Sequence, residues 1–177
     1  MLSMTRGTGI PATLSFVLKG DKVLLLKKSK GLFGEEKWNV PGGKIRPGEN
    51  PENGAIRETL EETGLRVKNL EQVGLVHFYK NMRRDVPEWT GYVFVSREFS
   101  GTLTEGREGI LKWFSIHDLP FDDMWEDDQY WSRLVFERKK FEAWFYYSGE
   151  FEKLIDHRIK RIDSGNNSQT IEARQPR

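Results

Sequence analysis

Residues 42–65 read GGKIRPGENPENGAIRETLEETGL, and the closing third carries Glu58, Glu61 and Glu62 at helical spacing. Side chains three and four apart on a helix are neighbours, so Glu58 faces both Glu61 and Glu62. Such a cluster repels itself and gains nothing as ordinary surface decoration. Hard divalent cations bind through oxygen and complete their shells with substrate phosphates, which gives the carboxylates a role: a cation, then a phosphate chain, neutralises them. The competing reading for three glutamates alone is a solvated acidic helix ended by a glycine. Asn50 can cap this helix, Pro51 suits its first position and Gly64 a left-handed end. Ala55, Ile56, Thr59 and Leu60 are expected to form its buried stripe, opposite the glutamates.

Outward from this helix, Ala12–Leu18 and Lys22–Lys28 are β-rich runs around Gly20-Asp21 and read as a hairpin. Trp38–Val40 leads into the Pro41-Gly42-Gly43 turn. Val73–Phe78 and Gly91–Val95 read as strands flanking a charged loop, Lys80–Glu88, and Leu111–Ile116 as another short strand. Gln129–Lys140 predicts an amphipathic helix with Trp131, Leu134, Val135 and Phe136 inward. Phe141–Tyr147 and Phe151–Ile159 predict a second hairpin across Ser148-Gly149. The expected fold class is α/β, a mixed sheet with a helix on each side.

The 177 residues suit one domain, expected over 1–162, with 163–177 as a loose tail lacking hydrophobic periodicity. The net charge of +1 argues against wholesale nucleic-acid binding but leaves room for a discrete anion site. The absence of cysteine excludes disulfides, zinc–thiolate sites and thiol catalysis. Apolar runs such as Val23–Leu26 fall far short of a membrane span, and the N-terminus has no long apolar segment. The expected location is cytoplasmic.

The opening stretch resembles the Nudix box. Gly43, Glu49, Arg57, Glu58, Glu61, Glu62, Gly64 and Leu65 fall on its constrained positions, with Thr59 where an aliphatic residue is usual. The resemblance implies an α/β/α sandwich around a mixed sheet, and hydrolysis of a phosphoanhydride with Mg²⁺, Mn²⁺ being the other option. It implies that Glu58, Glu61 and Glu62 hold metal and that the Gly42 carbonyl joins the shell. Glu108, on the loop before Leu111, matches a carboxylate that relatives use as ligand or base. Arg57 lies four residues before Glu61 and can pair with and orient a carboxylate. Clustered carboxylates titrate as a group, so the identity of the base stays open.

Beyond the box, KWNVPGGK (37–44), LPFDDMWEDDQYW (119–131) and RKKFEAWFYYSGEFEKLIDHRI (138–159) resemble one Nudix branch, the eukaryotic-type 8-oxo-dGTP diphosphatases that hydrolyse oxidised purine nucleoside triphosphates. Carried over position by position, this implies a purine pocket of Asn39, Trp125, Asp127 and Asp128 with Phe78 in its wall. It also implies Thr13 and Gly43 beside the substrate, and Lys27 and Lys44 toward its phosphates. The chemistry suits those roles. Trp125 offers a stacking face, Asn39 donates and accepts, and a buried carboxylate pair keeps one proton, so that one pocket takes oxidised guanine and oxidised adenine alike. The plainer reading of Asp127-Asp128 is a helix start, where carboxylates favour the dipole.

Some positions depart from the branch. Lys80 stands where relatives carry an aromatic residue, Ala12 and Gly109 are small, and the segments 31–37 and 80–88 are extended. Together they predict a more open, more polar pocket rim. The leading expectation is a pyrophosphohydrolase of modified purine nucleoside triphosphates that sanitises the nucleotide pool. It would act as a monomer, a dimer being left open, without a membrane or a stable nucleic-acid partner. The same cleavage on ordinary nucleotides, methylated purines, capped RNA ends or nucleotide sugars is the alternative. A non-catalytic nucleotide-binding module or a protein-interaction domain is disfavoured by the intact carboxylate set.

Overall fold

Phe16 and Leu18 of strand β1 (Ile10–Lys19) are buried in one apolar cluster, and Val17 between them is buried in another. Alternation with both sides buried means a sheet covered on both faces. The computed structural model describes residues 9–106, 108–163 and 170–171, and over these it builds that sheet. The further elements are β2 (Lys22–Lys28), β3 (Trp38–Asn39), α1 (Pro51–Thr63), β4 (Leu65–Lys68), β5 (Glu71–Tyr79), β6 (Trp89–Ser96) and β7 (Glu98–Gly101). They continue with β8 (Gly109–Ser115), α2 (Asp128–Phe136), β9 (Lys140–Ser148), β10 (Lys153–Ile162) and β11 (Thr170–Ile171). The large sheet runs β11-β10-β9-β5-β6-β1-β2-β3, with β8 also on β2. Strands β1/β6 and β5/β9 pair in parallel and the other neighbours antiparallel, so the sheet is mixed as expected.

Helix α2 lays Trp131, Leu134 and Val135 into the larger cluster with Phe16, Phe141 and Phe145. The other cluster gathers Val17, Leu24, Leu65 and Val67, with Ile56 of α1 against it. Leu65 and Val67 belong to β4, which pairs with β7 in a small antiparallel sheet. That pair is absent from the sequence reading, because four residues alternating with Arg66 and Lys68 give too short a signal. Of the tail expected at 163–177, Thr170–Ile171 pair with β10, and residues 164–169 and 172–177 lie outside the described ones.

Helix α1 begins and ends as its sequence requires. Asn50 accepts the Asn53 N–H through its side chain at 2.8 Å, and Gly64 closes the helix at φ 79°. The buried stripe differs from the expected one. It is Ala55, Thr59, Glu62 and Thr63, while Ile56 and Leu60 are only half-buried. Steps of four, three and one from Ala55 follow the helical repeat, so Glu62 lies on the inward edge rather than opposite it. Helix α2 stops at Phe136, four residues before the expected end. The Arg138 N–H donates to the Val135 carbonyl (3.1 Å), the Lys139 N–H to Leu134 (2.9 Å), and Arg138 takes φ 56°. This is a Schellman closure made without glycine, so the sequence carries no visible stop.

Candidate active site

The turn entering α1 is clamped to β1. Ser15 N–H donates to the Pro41 carbonyl (2.8 Å), Thr13 N–H to Gly43 (2.9 Å) and Ile45 N–H to Pro11 (2.9 Å). A side chain at Gly42 would put its Cβ 1.9 Å from the Thr13 carbonyl oxygen. One at Gly43 would sit 2.5 Å from the Glu58 carboxyl carbon. Both glycines are therefore required by close approach: Gly42 by backbone, Gly43 by a carboxylate of the box.

Arg57 organises that carboxylate set. It holds Glu49 through two hydrogen bonds of 2.8 Å, reaches Glu58 at 2.8 Å and Glu61 at 3.4 Å, and donates to the Lys44 carbonyl at 3.1 Å. Its hydrogen bond, helped by the Arg46 N–H, holds the Glu49 carboxyl down at about 2. Arg57 is a positioning residue, fastening α1 to the loop before it. Glu62 is different. Its side chain is 4% exposed, with Lys28 Nζ 3.9 Å away, and the same lysine pairs with Glu108 at 3.0 Å. Burial pushes the Glu62 carboxyl up to about 8, against the pull of Lys28, while Glu108 and Glu58 add to the rise. Its Oε2 has no hydrogen-bond partner among the described residues.

The expected convergence of Glu58, Glu61 and Glu62 is looser than spacing implied. Glu61 is half in solvent and also pairs with Arg46 at 3.5 Å, and no ready-made cluster of acidic or histidine side chains meets among the described residues. The donor set still fits a hard divalent cation. All its ligating atoms are oxygens, and the buried, unpartnered Glu62 oxygen is a position that a cation satisfies.

Beside the box opens a cavity of about 320 Å³, within the range of small-molecule sites. Asp127 and Asp128 lie in its wall, 2% and 4% exposed. Asp127 stands at the N-terminus of α2, yet its side chain makes no cap bond. It accepts from Tyr147 Oη and from Trp131 Nε1, the latter at 2.8 Å. Burial raises its proton affinity and these donors restrain the rise. Asp128 lacks such donors. Burial first, then the adjacent Asp127 carboxylate, pushes it well above the usual carboxylate range, and its Oδ2 has no partner among the described residues. Asn39 lines the same cavity with its amide oxygen held by the Val40 N–H at 2.8 Å, which leaves the amide nitrogen available to a ligand. Thr13 adds a buried hydroxyl with no partner among the described residues.

The NUDIX domain family matches residues 10–135. This chain belongs to the Nudix family. The oxidized purine nucleoside triphosphate hydrolase of Mus musculus is 36% identical over 159 residues, covering 86% of this chain and 95% of that relative. The protein described in the same words from Danio rerio is 34% identical, covering 85% and 94%. Among solved structures, the MutT protein of Bacillus halodurans superposes with a TM-score of 0.74 at 28% identity, covering 85% of this chain and 97% of its own. The chain is thus a Nudix hydrolase with the Nudix sandwich. Enzymes of this family generally use divalent metal ions.

In this Nudix fold the cavity gathers Thr13, Asn39, Gly42, Gly43, Lys44, Phe78, Glu108, Trp125, Asp127 and Asp128 from the residues expected on sequence grounds. Lys27 is not among them. It points to Glu36 at 3.9 Å, and its neighbour Lys28 lines the cavity instead, because adjacent strand residues face opposite sides. The expected open, polar rim is also corrected. Lys80 is tied to Glu88 (3.5 Å) and Glu150 (3.0 Å) outside the cavity lining. Gly109 is small because a Cβ there would meet the Lys27 carbonyl oxygen at 1.7 Å. The rim is aromatic, built from Phe33, Trp89 and Phe151. The sequence reading gives Phe33 and Trp89 no role, and takes Phe151, Tyr147 and Trp131 only as strand and helix residues. Phe33 sits in the extended segment 31–37 and Trp89 directly follows the charged loop 80–88 at the start of β6.

Proposed function

We propose that this Nudix hydrolase is a metal-dependent pyrophosphohydrolase of modified purine (deoxy)nucleoside triphosphates, 8-oxo-dGTP among them, yielding the monophosphate and pyrophosphate. The observation that carries this reading is the buried Asp127–Asp128 pair in the wall of a cavity that also holds Asn39 and Trp125. With both Asp127 oxygens already accepting and Asp128 favouring its proton, the pair presents one carboxylic acid that donates or accepts at a base edge. An oxo group on the purine is such an acceptor. The names borne by the mouse and zebrafish relatives support the same substrate class.

A divalent cation, when bound, supplies charge neutralisation at the bridging and leaving phosphate oxygens. Glu58, Glu61, Glu62 and Glu108, with the Gly42 carbonyl, are the oxygen donors proposed to hold it. Lys28 and Lys44 face the cavity with charge for the phosphate chain. One of these carboxylates takes the proton of the attacking water, and the buried Glu62, whose Oε2 has no partner among the described residues, is the one proposed. The water oxygen forms the new bond to phosphorus, the bridging bond between the α- and β-phosphates breaks, and pyrophosphate leaves.

Pyrophosphate release with Mg²⁺ from 8-oxo-dGTP, 2-oxo-dATP, N6-methyl-dATP, dGTP, dATP, ADP-ribose and a cap analogue tests the proposal, with Glu62→Gln alongside. Modified purines should lead by at least about tenfold in kcat/KM, roughly 1.4 kcal/mol of transition-state discrimination. Glu62→Gln should lose about a hundredfold or more in kcat. A win by canonical nucleotides or ADP-ribose sinks the substrate assignment and leaves the family chemistry in place.

A further inference from the structure

Phe33 is 62% exposed, yet its ring is not idle. It lies between two indoles, 5.3 Å from the Trp125 ring with planes 28° apart and 6.4 Å from the Trp89 ring with planes 25° apart. Phe151 meets it edge-on at 5.8 Å. Each indole plane lies within 28° of the Phe33 plane at stacking separation, an aromatic sandwich whose middle layer comes from a surface loop. All three rings line the cavity that holds Asp127 and Asp128.

The loop is built to let that middle layer go. Its ends are fixed: Lys28 N–H donates to the Lys37 carbonyl (3.1 Å), Glu36 N–H to Lys28 (2.8 Å) and Ser29 N–H to Glu108 (2.8 Å). Between these anchors the hydrogen bonds run within the loop, as in Glu35 N–H to the Leu32 carbonyl (3.0 Å) and Gly31 N–H to the Glu35 carboxylate (2.6 Å). Gly31 and Gly34 flank the apex at φ 86° and 76°, where glycine turns without strain. Gly34 rests on Trp125, with room for a Cβ only 3.3 Å from the indole.

We propose that Phe33 is a displaceable plug: its ring fills the slot between Trp89 and Trp125, and a planar base enters that slot only when the loop around residues 31–35 swings away. The ring is the chain's own stand-in for the base. The slot therefore selects flat aromatic ligands, and the closed loop lowers apparent affinity by the fraction of time the slot is open. The inference rests on the nucleotide-hydrolase reading for its ligand but not on which base is preferred.

The test uses the full chain and two readouts. Without ligand, the indole N–H resonances of Trp89 and Trp125 should both move in Phe33→Leu, which removes the ring between them. Unmoved resonances overturn the sandwich. In calorimetric titrations, Phe33→Ala should bind dGMP and 8-oxo-dGMP about threefold or more tightly than the wild type, with 2-deoxyribose 5-phosphate, which lacks a base, unchanged. Gly34→Ala, which crowds Trp125 and strains the turn, should act in the same direction. Equal, weaker or undetectable binding of the base-bearing ligands by Phe33→Ala overturns the plug. Tighter binding of both nucleotides upholds the plug whichever base is preferred, and the kcat/KM comparison above decides the substrate separately.

Discussion

Asp127 and Asp128 are adjacent, both buried, and differently partnered. Asp127 receives Tyr147 and Trp131, whereas Asp128 has an oxygen with no partner among the described residues and a carboxyl pushed well above its usual 3.8. The unfolded chain ionises such a group at its ordinary value, whereas the folded chain keeps the proton to higher pH. Above the unfolded value the folded state binds more protons, so stability falls as pH rises through the folded value. In Asp128→Asn the buried group is neutral at every pH. Thermal melts from pH 5 to pH 8 should show the wild type losing ground steadily relative to this variant. Parallel curves would mean that Asp128 is ionised in the folded protein, and the acid-donor role would go with it.

At the scale of elements, the turn from Pro41 to Ile45 is what joins α1 to β1. Three backbone hydrogen bonds and the absence of a Cβ at Gly42 keep the two in register. Gly42→Ala drives a methyl against the Thr13 carbonyl and must lift the turn off the strand. The expected cost is about 1–3 kcal/mol of stability, read as a lower denaturant midpoint at unchanged m-value. The box carboxylates move with the turn, so kcat should fall as well. A variant as stable as the wild type would show that the contact between turn and strand is not needed. The tight closure of α2 at Arg138 matters in the same way, because it returns the chain to β9 within four residues of the helix end. Strand β9 then carries Tyr147 back to Asp127.

At the scale of the molecule, Glu62 of α1, Lys28 of β2 and Glu108 before β8 come from three separate parts of the chain. A cation that satisfies Glu62 holds those parts together and stabilises only the folded state. Adding Mg²⁺ or Mn²⁺ well above its dissociation constant should stabilise the wild type by about 2–3 kcal/mol, a rise of several degrees in Tm for a chain of this size. EDTA should reverse the rise and Glu62→Gln should abolish most of it. An unchanged Tm in the wild type would remove the metal from the proposal.

What the sequence determined by itself is whatever acts within a few residues. The Asn50 cap, Pro51 and Gly64 bound α1 through bonds and dihedrals local to the helix ends. The box spacing named the family, and the β-rich runs marked strands that the sheet then used. Helix periodicity also put Trp131, Leu134 and Val135 inside. Tertiary structure decided what depends on approach between distant segments. Glu62 is buried rather than solvated on its helix, with Lys28 of the distant β2 3.9 Å away. Lys28 rather than Lys27 lines the cavity because strand pairing chose the face. The rim became aromatic because the loop carrying Phe33 folds onto Trp125 and onto Trp89 at the start of β6. Local geometry repeats every two or 3.6 residues and can be read in line, but packing across 34, 56 or 92 positions follows from the whole sheet closing at once.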